Sequence, residues 1–264
     1  MKKITLALAM MFALLAALVG PANAQDGARI HLLHGIPDVD VDVEAGGANV
    51  IEGFSFGDTQ DLSSLAGSTL EGLKVKAAGT DTVAIDAGDV ALPAAGNFTA
   101  VAHLDADGVP ALTVFENDTS TIAAGEGRLV VRHAAAAPEV DILADGAVAF
   151  AAVPNGAEGS IDLPAGTISA SVVPAGATEP VVIGPADLPI TEGSSLTVYA
   201  VGSLDGETLT VLTESIDGLG SAPAAVNTGN SPIESSSGAN TLLLLGLALA
   251  LAAAGSTVLV AARR

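Results

Sequence analysis

The chain has no cysteine and no tryptophan, and it carries one tyrosine (Tyr199), six phenylalanines and nine lysines and arginines in 264 residues. Without cysteine there is no disulfide, no thiolate metal site and no cysteine nucleophile, so packing alone must hold the fold together. The shortage of aromatics removes the platforms on which bases and sugar rings stack. Basic charge is scarcer than the count suggests, because Lys2, Lys3, Arg263 and Arg264 lie at the extreme ends. Five basic residues remain against thirty acidic ones, about 25 net negative charges over the intervening chain. Such a surface repels phosphate backbones, which excludes nucleic acid as a partner and leaves solubility and a weak pull on cations. Half of all residues are nevertheless apolar, enough to bury sizeable cores.

The two ends predict a topology. Residues 1–24 read as a secretory leader: Lys2 and Lys3 start it, Ile4 to Val19 is apolar, and Ala22-Asn23-Ala24 offers small residues for cleavage after Ala24. Residues 241–262 read as a transmembrane anchor. Its uncharged run from Leu242 to Ala262 is long enough at 1.5 Å per residue to cross about 30 Å of hydrocarbon. Arg263-Arg264 would stay cytoplasmic, placing the N-terminal bulk outside as a single-pass cell-membrane protein. Between them, residues 220–240 turn to Ser, Gly, Ala, Asn and Pro with Glu234 as the one charge, the composition of a flexible stalk. No Leu-Pro-x-Thr-Gly wall-attachment signal is present there.

An internal repeat organises the middle. Arg29-Ile-His-Leu-Leu-His34 returns as Arg128-Leu-Val-Val-Arg-His133, and Pro37-Asp38-Val39-Asp40-Val41 as Pro138-Glu139-Val140-Asp141-Ile142. Ala66-Gly67 answers Ala165-Gly166, Ala78-Gly79 answers Ala175-Gly176, and Leu112-Thr113-Val114-Phe115 answers Leu209-Thr210-Val211-Leu212. Two domains follow, 25–126 and 127–219. Within each, apolar residues alternate over short runs, and Asp107-Gly108, Asp145-Gly146 and Asp205-Gly206 read as hairpin turns. The expectation is an all-β chain of two tandem immunoglobulin-like sandwiches, each of about seven largely antiparallel strands.

The opening His34, Pro37-Asp38-Val39-Asp40-Val41, the Phe56-Gly57 strand end and the Ala-Gly turns resemble the DUF4397 domain. The likeness covers roughly residues 28–219. Copy two departs from it, with four alanines before Pro138 and Val153-Pro154 in place of Phe-Gly. The resemblance implies a β-sandwich module of secreted or surface-anchored microbial proteins, and no established activity.

Gly53-Phe54-Ser55-Phe56-Gly57 fits Gly-x-Ser-x-Gly, but a nucleophile elbow needs a strand-to-helix turn and partners that this pattern lacks. An ordinary strand end, with Phe54 and Phe56 on one side and Ser55 on the other, is the simpler reading. The four histidines, His31, His34, His103 and His133, are too few and too scattered for a zinc set. His34 and His133, matched in the repeat, suit strand-end hydrogen bonds. Asp38, Asp40 and Asp42 read as one solvated strand face, and Asp86, Asp89, Asp105 and Asp107 as polar turns with calcium binding as the alternative. Asn97 and Asn117 open glycosylation sequons. No catalytic, cofactor or metal residue is assigned. The expected function is non-enzymatic surface display, for adhesion, envelope structure or protein contact, with an extracellular small-ligand or calcium-binding domain as the alternative and a Ser55 hydrolase behind it.

Overall fold

A computed structural model describes residues 27–221, which lie in one compact unit. The leader, most of the stalk and the membrane anchor expected from the sequence lie outside the described residues. Within them the chain is all-β, with one short 3-10 turn and no α-helix.

The first repeat holds eight strands: β1 (Arg29–His34), β2 (Val41–Ala45), β3 (Ala48–Phe54), β4 (Thr59–Asp61), β5 (Thr69–Ala77), β6 (Val83–Ala91), β7 (Asn97–Leu104) and β8 (Pro110–Glu116). The second repeats the plan: β9 (Glu126–Ala136), β10 (Val140–Ala144), β11 (Ala147–Val153), β12 (Glu158–Pro164), β13 (Gly166–Pro174), β14 (Ile183–Ile190), β15 (Ser195–Ser203) and β16 (Thr210–Ile216). Each repeat is a sandwich of two four-stranded sheets, ordered β4-β1-β7-β8 over β3-β2-β5-β6, and β12-β9-β15-β16 over β11-β10-β13-β14. Leu32, Val41, Val43, Phe54, Leu73 and Val75 join the first pair of sheets; Leu129, Val131, Val140, Ile142, Ile168 and Val198 join the second.

Two features depart from the immunoglobulin-like expectation. There are eight strands rather than about seven, and each repeat contains a parallel pair, β1 with β7 and β9 with β15. That gives a strand order unlike the two immunoglobulin sheets. Alternation marks a strand and its buried face but carries nothing about which neighbour it joins, so the parallel pairing was invisible in the sequence.

The structure also corrects the register of the repeat. β2 begins at Val41 and β10 at Val140, so Asp42, not Asp40, corresponds to Asp141. Both aspartates are buried and both perform one task. Asp42 accepts hydrogen bonds from the Gly53 and Gly79 N–H groups at 2.9 Å each; Asp141 accepts from Ala152 at 2.7 Å and Gly176 at 2.9 Å. Each carboxylate thereby ties the edge-hairpin bulge to the turn after the next strand. These bonds favour the charged form and hold both carboxyls below the usual aspartate range. The three aspartates expected on one solvated face are thus separated. Asp38 sits in a turn at φ 61°, Asp40 is exposed, and Asp42 is 7% exposed. A two-residue slip in Asp-Val-Asp-Val preserves every facing, which is why period-two reading could not detect it.

Asp42→Ala is therefore expected to lower the melting temperature by several degrees, while Asp40→Ala leaves it within error. Equal effects in thermal unfolding would contradict the clamp.

Candidate functional site

β9 shows why the repeats do not act as separate beads. After Glu126 every residue of it is buried, on both faces. One face, Leu129 and Val131, enters the core of its own sandwich. The other, with Arg128, Arg132 and Ala134, would be the solvent face of an isolated domain, yet it is covered by the first repeat. Leu33, Val101 and Phe115 from β1, β7 and β8 pack against Ala134, Tyr199 and Val201 from β9 and β15. Four sheets are stacked in this way, and the central two are covered on both sides. Burying those side chains contributes on the order of 10 kcal/mol before the cost of ordering.

A polar network is embedded in this contact. Arg132, 1% exposed, donates from Nε to Glu158 Oε2 at 2.8 Å and through its two terminal nitrogens to Tyr199 Oη at 2.8 Å and Asn117 Oδ1 at 2.7 Å. Its guanidinium lies 4.4 Å from the centre of the Phe115 ring. Tyr199 donates to Glu214 Oε2 at 2.8 Å, Thr99 donates to the same oxygen at 3.1 Å, and His31 Nδ1 lies 2.8 Å from Glu214 Oε1. His31, Thr99 and Phe115 belong to the first repeat, and Asn117 follows it directly; Arg132, Tyr199, Glu158 and Glu214 belong to the second. Burial raises the tyrosine hydroxyl pKa well above its ordinary value. For Glu214, burial pushes upward, but hydrogen bonds from His31, Tyr199 and Thr99 outweigh it and leave the carboxyl below its ordinary value.

The connection between repeats is held by the same strand. Arg128 grips Asp162 with two hydrogen bonds, at 2.8 and 3.1 Å, and reaches Asp118 and Ser120 of the connection. Ile122 is fully buried and forms a parallel bridge with Gly220. Two of the five basic residues between the chain ends are spent on this contact. That shortage was the signal available in the sequence: arginines in an otherwise apolar strand of an acidic protein must be paired somewhere.

The residues singled out from sequence fall into structural roles. His34 and His133 are equivalent and fully enclosed. Nε2 of each donates to a carbonyl, Val39 at 2.8 Å and Pro138 at 3.0 Å, while Nδ1 accepts from a backbone N–H two residues on. His103 bonds Leu104 and Thr113. Ser55 lies in the connection between β3 and β4, not at a strand-to-helix turn, with its N–H donating to Asp58. Phe54 and Phe56 point apart rather than together, Phe54 into the first core and Phe56 into the inter-repeat contact. The cause is that β3 ends at Phe54, so alternation stops before Phe56, which lies in a turn with Gly57 at φ 84°. Its counterpart is Gly156, φ 79°, so Phe56-Gly57 corresponds to Asn155-Gly156 and not to Val153-Pro154. Asn155 donates to Leu104 of the other repeat at 2.9 Å, adding a polar bond to the same seam. Asp105 is occupied by the Asp107 and Val109 N–H groups, and Asp89 by Gly72. Asn117, 8% exposed, sits inside the network, where a glycan has no room. Among the described residues no three His, Asp or Glu side chains converge as a metal set.

A second feature was not foreseen. Between the sheets of the first repeat lies an apolar cavity of about 750 Å³, floored by Leu32, Val43, Leu73 and Val75.

The protein-family model described as domain of unknown function (DUF4397) matches residues 28–143 and 134–231. No curated protein matches the sequence.

Removing the Phe115 ring should cost about 3–5 kcal/mol, and Tyr199→Phe about 1–3 kcal/mol through stranded partners, both read from denaturant unfolding of the whole two-repeat unit. Burial also lowers the pKa values of His34, His103 and His133 below the ordinary 6.5. Below that pH the unfolded chain binds protons that the folded chain refuses, so stability falls as pH drops below about 6.5. Asp42, Asp141 and Glu214 add a separate loss at lower pH, as acid titrates through their depressed folded values. The melting temperature should therefore decline between pH 7.5 and 5.5; a flat profile there would contradict the buried neutral histidines.

Proposed function

We propose, on the premise that the chain belongs to the DUF4397 family and carries two tandem copies of its domain, that it is a non-catalytic surface protein displaying both sandwiches as one body. The observation that carries this reading is the fate of the polar side chains. The constellation of Arg132, Tyr199, Glu214, Asn117, Thr99 and His31 could be mistaken for catalytic machinery. Its Arg132, Tyr199, Thr99 and Asn117 are buried, and its hydrogen bonds join two sheets. Ser55, the candidate nucleophile, stands outside it.

The ends of the sequence support the placement: a leader over 1–24, a stalk over 220–240 and an apolar span over 241–262 with terminal arginines would present the sandwiches outside the cell membrane. Adhesion, envelope structure and protein contact are the roles that suit such a body. Its acidic surface suits an extracellular setting where repulsion from other anionic polymers keeps it extended from the layer beneath.

Protease shaving of intact cells, followed by mass spectrometry of the released peptides and of the membrane pellet, tests the placement. Peptides from 25–240 are expected in the supernatant, with the apolar tail retained. Complete protection of the chain in intact cells, with cleavage after lysis, would overturn surface display.

A further inference from the structure

The first repeat contains a cavity at an edge where the second packs a phenylalanine between its sheets, and the difference lies in a few residues. In the second repeat β12 runs for seven residues and pairs with β9 from Glu126 to Arg132. Phe150 of β11 lies flat on Gly159 of β12, where an added Cβ would stand 2.4 Å from the ring. The glycine is what permits the ring to span the two sheets at that edge. In the first repeat the corresponding residues are Ile51 and Gln60. The edge strand β4 stops after three residues, and the chain turns away through the 3-10 turn Ser63–Leu65, bringing Leu62 and Leu65 to the wall. The sandwich is left open along that edge, where Val50 of β3 is 58% exposed; Val114, 52% exposed, lines the cavity from β8 at the opposite edge of the sheet.

The geometry points to this cleft as a binding site for a hydrocarbon-rich amphiphile with an uncharged head. A volume of about 750 Å³ falls within the roughly 300–1,000 Å³ of small-molecule sites. Aliphatic side chains make most of its wall, with Phe98 the one aromatic among them, which suits a flexible hydrocarbon chain. The polar groups are few and come from the edge strands and the 3-10 turn: Glu52, Gln60, Asp61 and Ser64. Two are carboxylates, and Asp61, hydrogen-bonded by the Ser63 N–H at 2.8 Å, is held below the usual range by Ser63. An anionic head would meet these charges within a strongly acidic chain; a hydroxyl could bond Gln60 or Ser64 without that repulsion. This assignment goes beyond surface display and does not depend on where the protein resides.

The test uses residues 25–221, which contain every described strand in one compact unit. Titration with the uncharged probe N-phenyl-1-naphthylamine should give saturable one-site fluorescence. Hexadecanol should displace it, and palmitate of equal chain length should do so at least tenfold less well. The double change Ile51→Phe with Gln60→Gly installs the second repeat's plug and should reduce probe affinity at least tenfold with no loss of melting temperature. If that variant does not fold, Val50→Trp at the same open edge supplies the block. Unsaturable binding, or unchanged affinity in a folded blocked variant, would overturn the site. Equal displacement by palmitate would overturn the uncharged head. Probe binding that appears only as the protein self-associates would assign the cleft to a second copy and overturn the small-molecule reading.

Discussion

The structure depends on the contact between the outward faces of two central sheets, with Arg132 buried at its heart. An isolated sandwich of this kind would leave one face of β1, β7 and β8 in water, together with Leu33, Val101 and Phe115. Enclosing an arginine there is costly unless each of its donors is satisfied and the charge is balanced. Glu158 supplies the balancing carboxylate, Tyr199 and Asn117 take the remaining hydrogen bonds, and the Phe115 ring covers the plane. Because these partners come from both repeats and the segment joining them, the network specifies how one repeat meets the other as well as holding them together.

Duplication explains the sharing of labour. The two copies retain the same structural devices, the His34 and His133 strand-end bonds and the Asp42 and Asp141 clamps, because each sandwich needs them to close its own turns. They diverge where they are no longer equivalent. Arg29 is exposed in the first copy, while its counterpart Arg128 is buried against the connection. Ile51 and Gln60 leave an opening that Phe150 and Gly159 fill in the second. One copy has been packed tight and the other left accommodating, which is a natural division between a structural and a ligand-facing domain.

Much of the fold was legible in the sequence. Alternation over short runs marked the chain as all-β, and the Asp107-Gly108, Asp145-Gly146 and Asp205-Gly206 pairs fell in hairpin connections. The matched histidines announced a common strand end. What escaped was long-range. Parallel pairing of β1 with β7 joins segments whose spacing carries no turn signature. The aspartate register slipped by two because the Asp-Val repeat is its own image under that shift. The buried network was hidden for a different reason: its members are scattered from His31 to Glu214, and only stacking of the sheets brings them together. The cavity was least legible of all, since aliphatic residues that line a void read the same as those that fill a core.

The central claim is that two family domains form one cooperative unit. Scanning calorimetry of residues 25–221 measures this through the ratio of calorimetric to van't Hoff enthalpy. A single transition with a ratio near one is expected. Two resolved transitions, or a ratio near two, would show sandwiches that melt independently and would contradict the claim.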